Sequence, residues 1–144
     1  MDRFKTQRKL KNSLELVRDF SIDQAKFYLE ASKEFYPFGT VLKIDGTLNP
    51  VGIDLGGDYP DINEMIRVME KSIIQRIKDE EIVAGAVGID IFLKSDDTNK
   101  KISAIEIRSL NKNNISKTWH LPYVVIDNDV FYKDISVIEG CLSL

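Results

Sequence analysis

Apolar residues recur at helical spacing through the first third of the chain. Leu10, Leu14 and Val17 fall on one stripe and predict a helix over about residues 5–19. Phe20-Ser21 interrupts it, and Ser21 with Gln24 has the spacing of a capping box, so a second helix is expected from Ile22 to about Lys33. Its inner face would carry Ile22, Ala25, Tyr28, Leu29 and Ser32. Glu34-Phe35-Tyr36-Pro37-Phe38-Gly39 then ends the helical part, because Pro37 pushes Tyr36 into extended geometry. Phe35 and Phe38 read as core plugs, and Tyr36 as the aromatic that faces out.

The pattern changes after Gly39. Val41–Ile44 predicts a strand and Thr47–Leu55 its return, with Asp45-Gly46 as a type I′ turn between them. Pro50 removes a donor from the return strand, which places that strand at an edge or at a bulge. Beyond Gly56-Gly57, Pro60 and the Asp61/Glu64 pair open a long helix. Ile62, Met65, Ile66, Met69, Ile73 and Ile77 keep its 3–4 spacing to about Asp79. Four strands follow, over Ile82–Lys94, Lys101–Leu110, Lys117–Ile126 and Val130–Ile138, and their short links imply an antiparallel meander.

Alternation along those strands divides them into two faces. One would be apolar, with Val87, Ile89, Ile91, Ile105, Ile107, Trp119, Leu121, Tyr123, Phe131 and Val137 against the long helix. The other would be mixed, with Asp90, Phe92, Glu106, Arg108, Thr118, His120, Tyr132 and Asp134. The expectation is therefore α+β: two N-terminal helices, a β-hairpin, one long helix, then a four-stranded antiparallel meander packed on the long helix. Residues 1–144 would form a single domain, helical over 1–36 and β-β-α-β-β-β-β over 37–144.

Composition fits that picture. Hydrophobic residues make up 43% and charged residues 30% of the 144, a balance suited to a self-contained core. The net charge of −3 gives no overall attraction to nucleic acid or an anionic membrane. Arg3, Lys5, Arg8, Lys9 and Lys11 crowd the start, either as a solvated first helix or as an arm for an acidic partner. The single cysteine, Cys141, excludes an internal disulfide. No apolar run resembles a signal peptide or a membrane span, so the expected location is cytoplasmic.

Candidate chemistry is sparse. Asp90, Glu106, Arg108, Thr118 and His120 share the mixed face, where a carboxylate could orient the imidazole and Arg108 could hold an anion. The plainer interpretation is cross-strand ion pairing, with His120 beside Trp119 closing an edge. No residue looks like an activated nucleophile, and one histidine with one cysteine makes no common zinc site. Asp54, Asp58 and Asp61 around Gly56-Gly57 lack EF-hand spacing and would repel a phosphate. No catalytic residue, metal site or cofactor is expected.

The Glu34–Gly39 stretch, the Asp45-Gly46 hairpin and Leu121-Pro122-Tyr123 together resemble a group of small bacterial proteins with an EFYPFG-type stretch and an LPY element. The resemblance covers roughly residues 30–126 and carries over no catalytic residues. In style the chain is also similar to immunity-type proteins, small acidic α+β domains that neutralise toxins in the bacterial cytoplasm. That similarity implies a protein-binding role toward a basic toxin or enzyme; the mixed face and the aromatic stretch, not the similarity, supply the binding set, Tyr36, Asp90, Glu106, Arg108, Trp119 and His120. The alternatives are an enzyme or small-ligand binder built around His120, and a homodimer or larger homo-oligomeric scaffold. Asp90, Glu106, Arg108 and His120 would have to converge in a concave pocket for the enzyme to hold.

Overall fold

The computed structural model describes residues 12–52, 61–95 and 100–144. It is an α+β fold with an antiparallel sheet, but its arrangement differs from the expected one. A single helix, α1 (Ser13–Ser32), replaces the expected helix pair. Asn12 caps it, its side-chain oxygen accepting from the Glu15 N–H at 2.9 Å. Ser21 starts no new helix. It is fully buried in mid-helix, and its hydroxyl donates to Thr40 Oγ1 at 2.8 Å. With that partner outside the helix, Ser21 does not compete for the backbone, and Leu14, Val17, Ser21, Ala25 and Leu29 become one continuous buried stripe. The part of the expected first helix before residue 12 lies outside the described residues.

Lys33 ends α1 in the left-handed region, its N–H donating to the Leu29 carbonyl at 2.8 Å. The chain then enters β1 (Phe38–Lys43) and returns as β2 (Leu48–Val51). The Asp45-Gly46 turn is not type I′. Only Gly46 has positive φ, at 89°, and Gly46 N–H donates to Lys43 O while Lys43 N–H donates to Thr47 O. That is a type I turn closed by a left-handed glycine, with Asp45 accepting from the Thr47 N–H. β2 forms one edge of the sheet, where Pro50 costs no ladder bond with a further strand.

The long helix, α2 (Ile62–Lys78), is capped by Asp61 and buries Met65, Met69, Ile73 and Ile77. Four more stretches of strand follow β3 (Ile82–Lys94): β4 (Lys101–Asn111), β5 (Ser116–Ile126), β6 (Asp129–Tyr132) and β7 (Ser136–Glu139). The expected separate four-stranded meander does not exist as such. The hairpin joins it through β1 against β3, giving, among the described residues, one seven-stranded antiparallel sheet, β2-β1-β3-β4-β5-β6, with β7 also on β5.

The last expected strand is divided into β6 and β7. β6 pairs with Tyr123–Ile126 and β7 with Lys117–His120. The interruption falls at Pro122, whose carbonyl accepts from Lys133 N–H at 2.8 Å but which has no N–H to return. The register slips by one residue there, as at a β-bulge. Phe131 and Val137 therefore lie on opposite faces, not on the shared face expected from their parity.

The sheet is also covered on both sides, not packed on the long helix alone. α1 packs over β1, β3 and β4 on one face, and α2 over β3 and β1 on the other. The first core joins Leu14, Val17, Ala25 and Leu29 to Phe38, Ala86, Ile105, Ile107, Trp119 and Leu121. The second joins Met69, Ile73 and Ile77 to Val41, Val87, Ile89 and Leu110. α2 lies close to the backbone there: a Cβ on Gly85 would sit 2.6 Å from Ile73 Cγ2, and one on Gly39 2.7 Å from Met69 Sδ. No helix among the described residues is long and apolar enough to cross a membrane.

Candidate functional site

Strand register decides which polar residues meet. β3 pairs with β4 so that Asp90 lies opposite Ile105 and Ile89 opposite Glu106. β4 pairs with β5 so that Glu106 lies opposite His120 and Arg108 opposite Thr118. Glu106, Arg108, Thr118 and His120 thus share the α2 face, whereas Asp90 lies on the α1 face with Ile105 and Leu121. The expected mixed face is split between the two sides of the sheet. A pocket built from Asp90, Glu106, Arg108 and His120 together does not form.

On the α2 face the charges form a chain. Arg108 Nη1 donates to Glu70 Oε1 of α2 at 2.7 Å, and its Nε donates to Glu106 Oε2 at 2.9 Å. The other Glu106 oxygen lies 2.9 Å from His120 Nε2. Burial works against the Arg108 charge, but the hydrogen bond to Glu70 and the Glu106 carboxylate outweigh it and hold its pKa above the ordinary value. The Glu106 and His120 side chains are only 12% and 14% exposed. This chain ties α2 to β4 and β5. Glu70 escaped the sequence pattern because it follows Met69 of the buried stripe directly, so its contact with the sheet depends on where β4 lies.

On the α1 face Trp119 is buried, with the Arg18 guanidinium 5.3 Å from its ring centre. Tyr123 donates its hydroxyl to Asp90 Oδ1 at 2.6 Å. Burial raises the Asp90 pKa, against the lowering effect of Tyr123 and the Phe35 N–H, and Glu34 raises it further. Burial also pushes the Tyr123 phenol up, and the Asp90 carboxylate adds to the shift. The alternation of β5 shows Tyr123 as an apolar-face residue, so its hydroxyl partner was hidden by the unknown register.

Asp90 lies in a cleft of about 1030 Å³ at one end of the sheet. The end of α1, the Phe35–Phe38 segment, the far ends of β3 and β4, and the start of α2 line it. Phe38 is buried, with its ring centre 5.6 Å from those of both Tyr28 and Phe35. Tyr36 faces out at 61% exposure and Phe92 at 68%. The six residues of the expected binding set are therefore dispersed: Tyr36 and Asp90 at the cleft, Trp119 in the α1-side core, and Glu106, Arg108 and His120 on the α2 face.

Among the described residues no group of three His, Cys, Asp or Glu could hold a metal ion. Asp61 caps α2, and Asp54, Asp58 and Gly56-Gly57 lie outside the described residues. No protein-family model, curated protein sequence or solved structure matches the chain.

Proposed function

We propose that this chain is a small protein-binding domain that seats a basic protein on the open half of its sheet, in the manner of an immunity-type inhibitor. The observation that carries this reading is an apolar patch beyond the reach of α2. Val124, Ile126, Phe131 and Ile138 are 39–52% exposed. Register and alternation put all four on the α2 face, next to Glu106 and His120. Nothing in the core requires them to be apolar. A cluster of exposed β-branched and aromatic residues on one face is what an interface centre needs.

The rim supports a basic partner. Asp127, Asp129 and Asp134 are exposed around the patch, with Lys133 the only cation between residues 127 and 139. Such a rim steers a basic surface toward the patch and disfavours acidic ones. It also disfavours a second copy of this chain, because the same carboxylates would face each other across a two-fold axis.

The test is capture by the immobilised chain from a lysate of the parent organism, with Phe131→Ser and Asp129→Lys/Asp134→Lys variants in parallel. One stoichiometric basic protein should be retained by the native chain, released by moderate salt, and lost from both variants. Equal capture by all three chains, or none by any, would remove this reading.

A further inference from the structure

The cleft around Asp90 has features that neither the core nor the apolar patch explains. Asp90 is a half-buried carboxylate held in one orientation by the Tyr123 hydroxyl. Among the described residues no lysine or arginine forms an ion pair with it. Lys33 also lines the cleft, but it and Lys101 are otherwise engaged. Lys33 Nζ donates to the Glu30 carbonyl at 3.0 Å, and Lys101 Nζ stands 5.5 Å from the Phe92 ring centre. Glu34 adds a second negative charge to the lining. Phe92 and Tyr36 present largely exposed rings to the same space.

We propose that this cleft binds a small organic amine, its cationic head paired with the Asp90 carboxylate and its apolar body against Phe35, Tyr36 and Phe92. Each part of that ligand follows from a part of the site. An anion would meet Asp90 and Glu34 and be repelled. A neutral molecule would strip water from Asp90 and return no charge, which is costly for a carboxylate. A cation restores what burial removes, and the ring faces attract it as well. Lys101 over Phe92 is the same interaction made within the chain. A cleft of about 1030 Å³ has room for a ligand of ordinary metabolite size and for water around it. The raised pKa of Asp90 agrees with a carboxylate that lacks a cationic partner.

The experiment uses the full chain and three probes of one shape: phenethylamine, the neutral phenethyl alcohol, and the anionic phenylacetate. Binding is followed by amide chemical shifts in NMR titrations up to millimolar concentration. Phenethylamine should saturate, shifting amides of the Phe35–Phe38 segment. The alcohol should bind at least about tenfold more weakly, as loss of one charge-assisted contact implies, and phenylacetate should not bind. Asp90→Asn keeps an acceptor for Tyr123 and should weaken phenethylamine by a similar factor, while Tyr36→Ser tests the wall without touching the core. Phe131→Ser, on the other side of the sheet, should leave amine binding unchanged, so failure of the protein-binding reading is separable. No saturable binding, equal affinity for amine and alcohol, or indifference to Asp90→Asn would each overturn the proposal.

Discussion

Ser21 Oγ donates to Thr40 Oγ1 at 2.8 Å, and both residues are fully buried between α1 and β1. The pair is the one polar contact in a helix stripe that is otherwise apolar. It converts a residue that could break α1 into one that fixes its height on the sheet. Ser21→Ala leaves the Thr40 hydroxyl buried without that partner and should cost about 1–2 kcal/mol in urea unfolding. Ser21→Ala with Thr40→Val removes both hydroxyls and should recover part of the loss. A double variant worse than the sum of the singles would mean that the contact is not what holds the helix there.

Arg108 should matter more to stability than the other charges on the α2 face. It serves two carboxylates at once, and Glu106 is nearly buried. Arg108→Met should destabilise by about 2 kcal/mol, because Glu106 then keeps only His120 as a side-chain partner. Glu70→Gln, at the more exposed end, should cost less than about 1 kcal/mol. Denaturant midpoints at constant m-value would check the order.

Asp90 should lower stability at neutral pH. Its folded pKa is raised above 3.8, so the unfolded chain gives up this proton first as pH rises. The cost is absent below the ordinary value and complete above the raised one. Asp90→Asn should therefore be as stable as the native chain or more so at neutral pH. The difference should vanish as pH falls below about 3.8. A variant that loses stability at neutral pH would show that the Tyr123 hydrogen bond outweighs burial.

The alkaline limb should have the same sign. Burial, with Glu30 nearby, pushes Tyr132 up to about 12, and Tyr123 is raised further. The folded chain holds both phenol protons where the unfolded chain has released them, so stability should fall as pH rises from the ordinary value of 10 toward 12. Absorbance titration of the folded protein should show two late tyrosines, one of which Tyr132→Phe removes.

Gly85 and Gly39 should differ although both lie under α2. Ile73 is β-branched and stiff, whereas Met69 is flexible and can turn its sulfur away. Gly85→Ala should cost about 1–3 kcal/mol and Gly39→Ala less. Thermal unfolding of the two variants decides it.

Much of this was written locally in the chain. The α2 stripe with its Asp61 cap, the exit from α1 before Pro37, the outward Tyr36 and the edge position of the Pro50 strand all follow from residues a few positions apart. Short-range sterics and periodicity suffice for them. Ser21 was misleading because its hydroxyl suits a cap and a buried tertiary contact equally well, and only Thr40, nineteen residues on, distinguishes the two. The division of the last strand at Pro122 required knowing which edge of β5 that proline faces.

The candidate site depended on register, which no single strand encodes. Lys94 pairs with Lys101, so six residues lie between β3 and β4, and partners have opposite parity. Leu110 pairs with Ser116, leaving five residues between these two partners, and partners have the same parity. That difference of one residue keeps Glu106 with His120 and sends Asp90 through the sheet to Tyr123. Helical and strand periodicities were legible in the residues alone, because each depends on near neighbours. The tertiary structure alone decided which face each polar residue joined, because a one-residue change in pairing turns every side chain of a strand over.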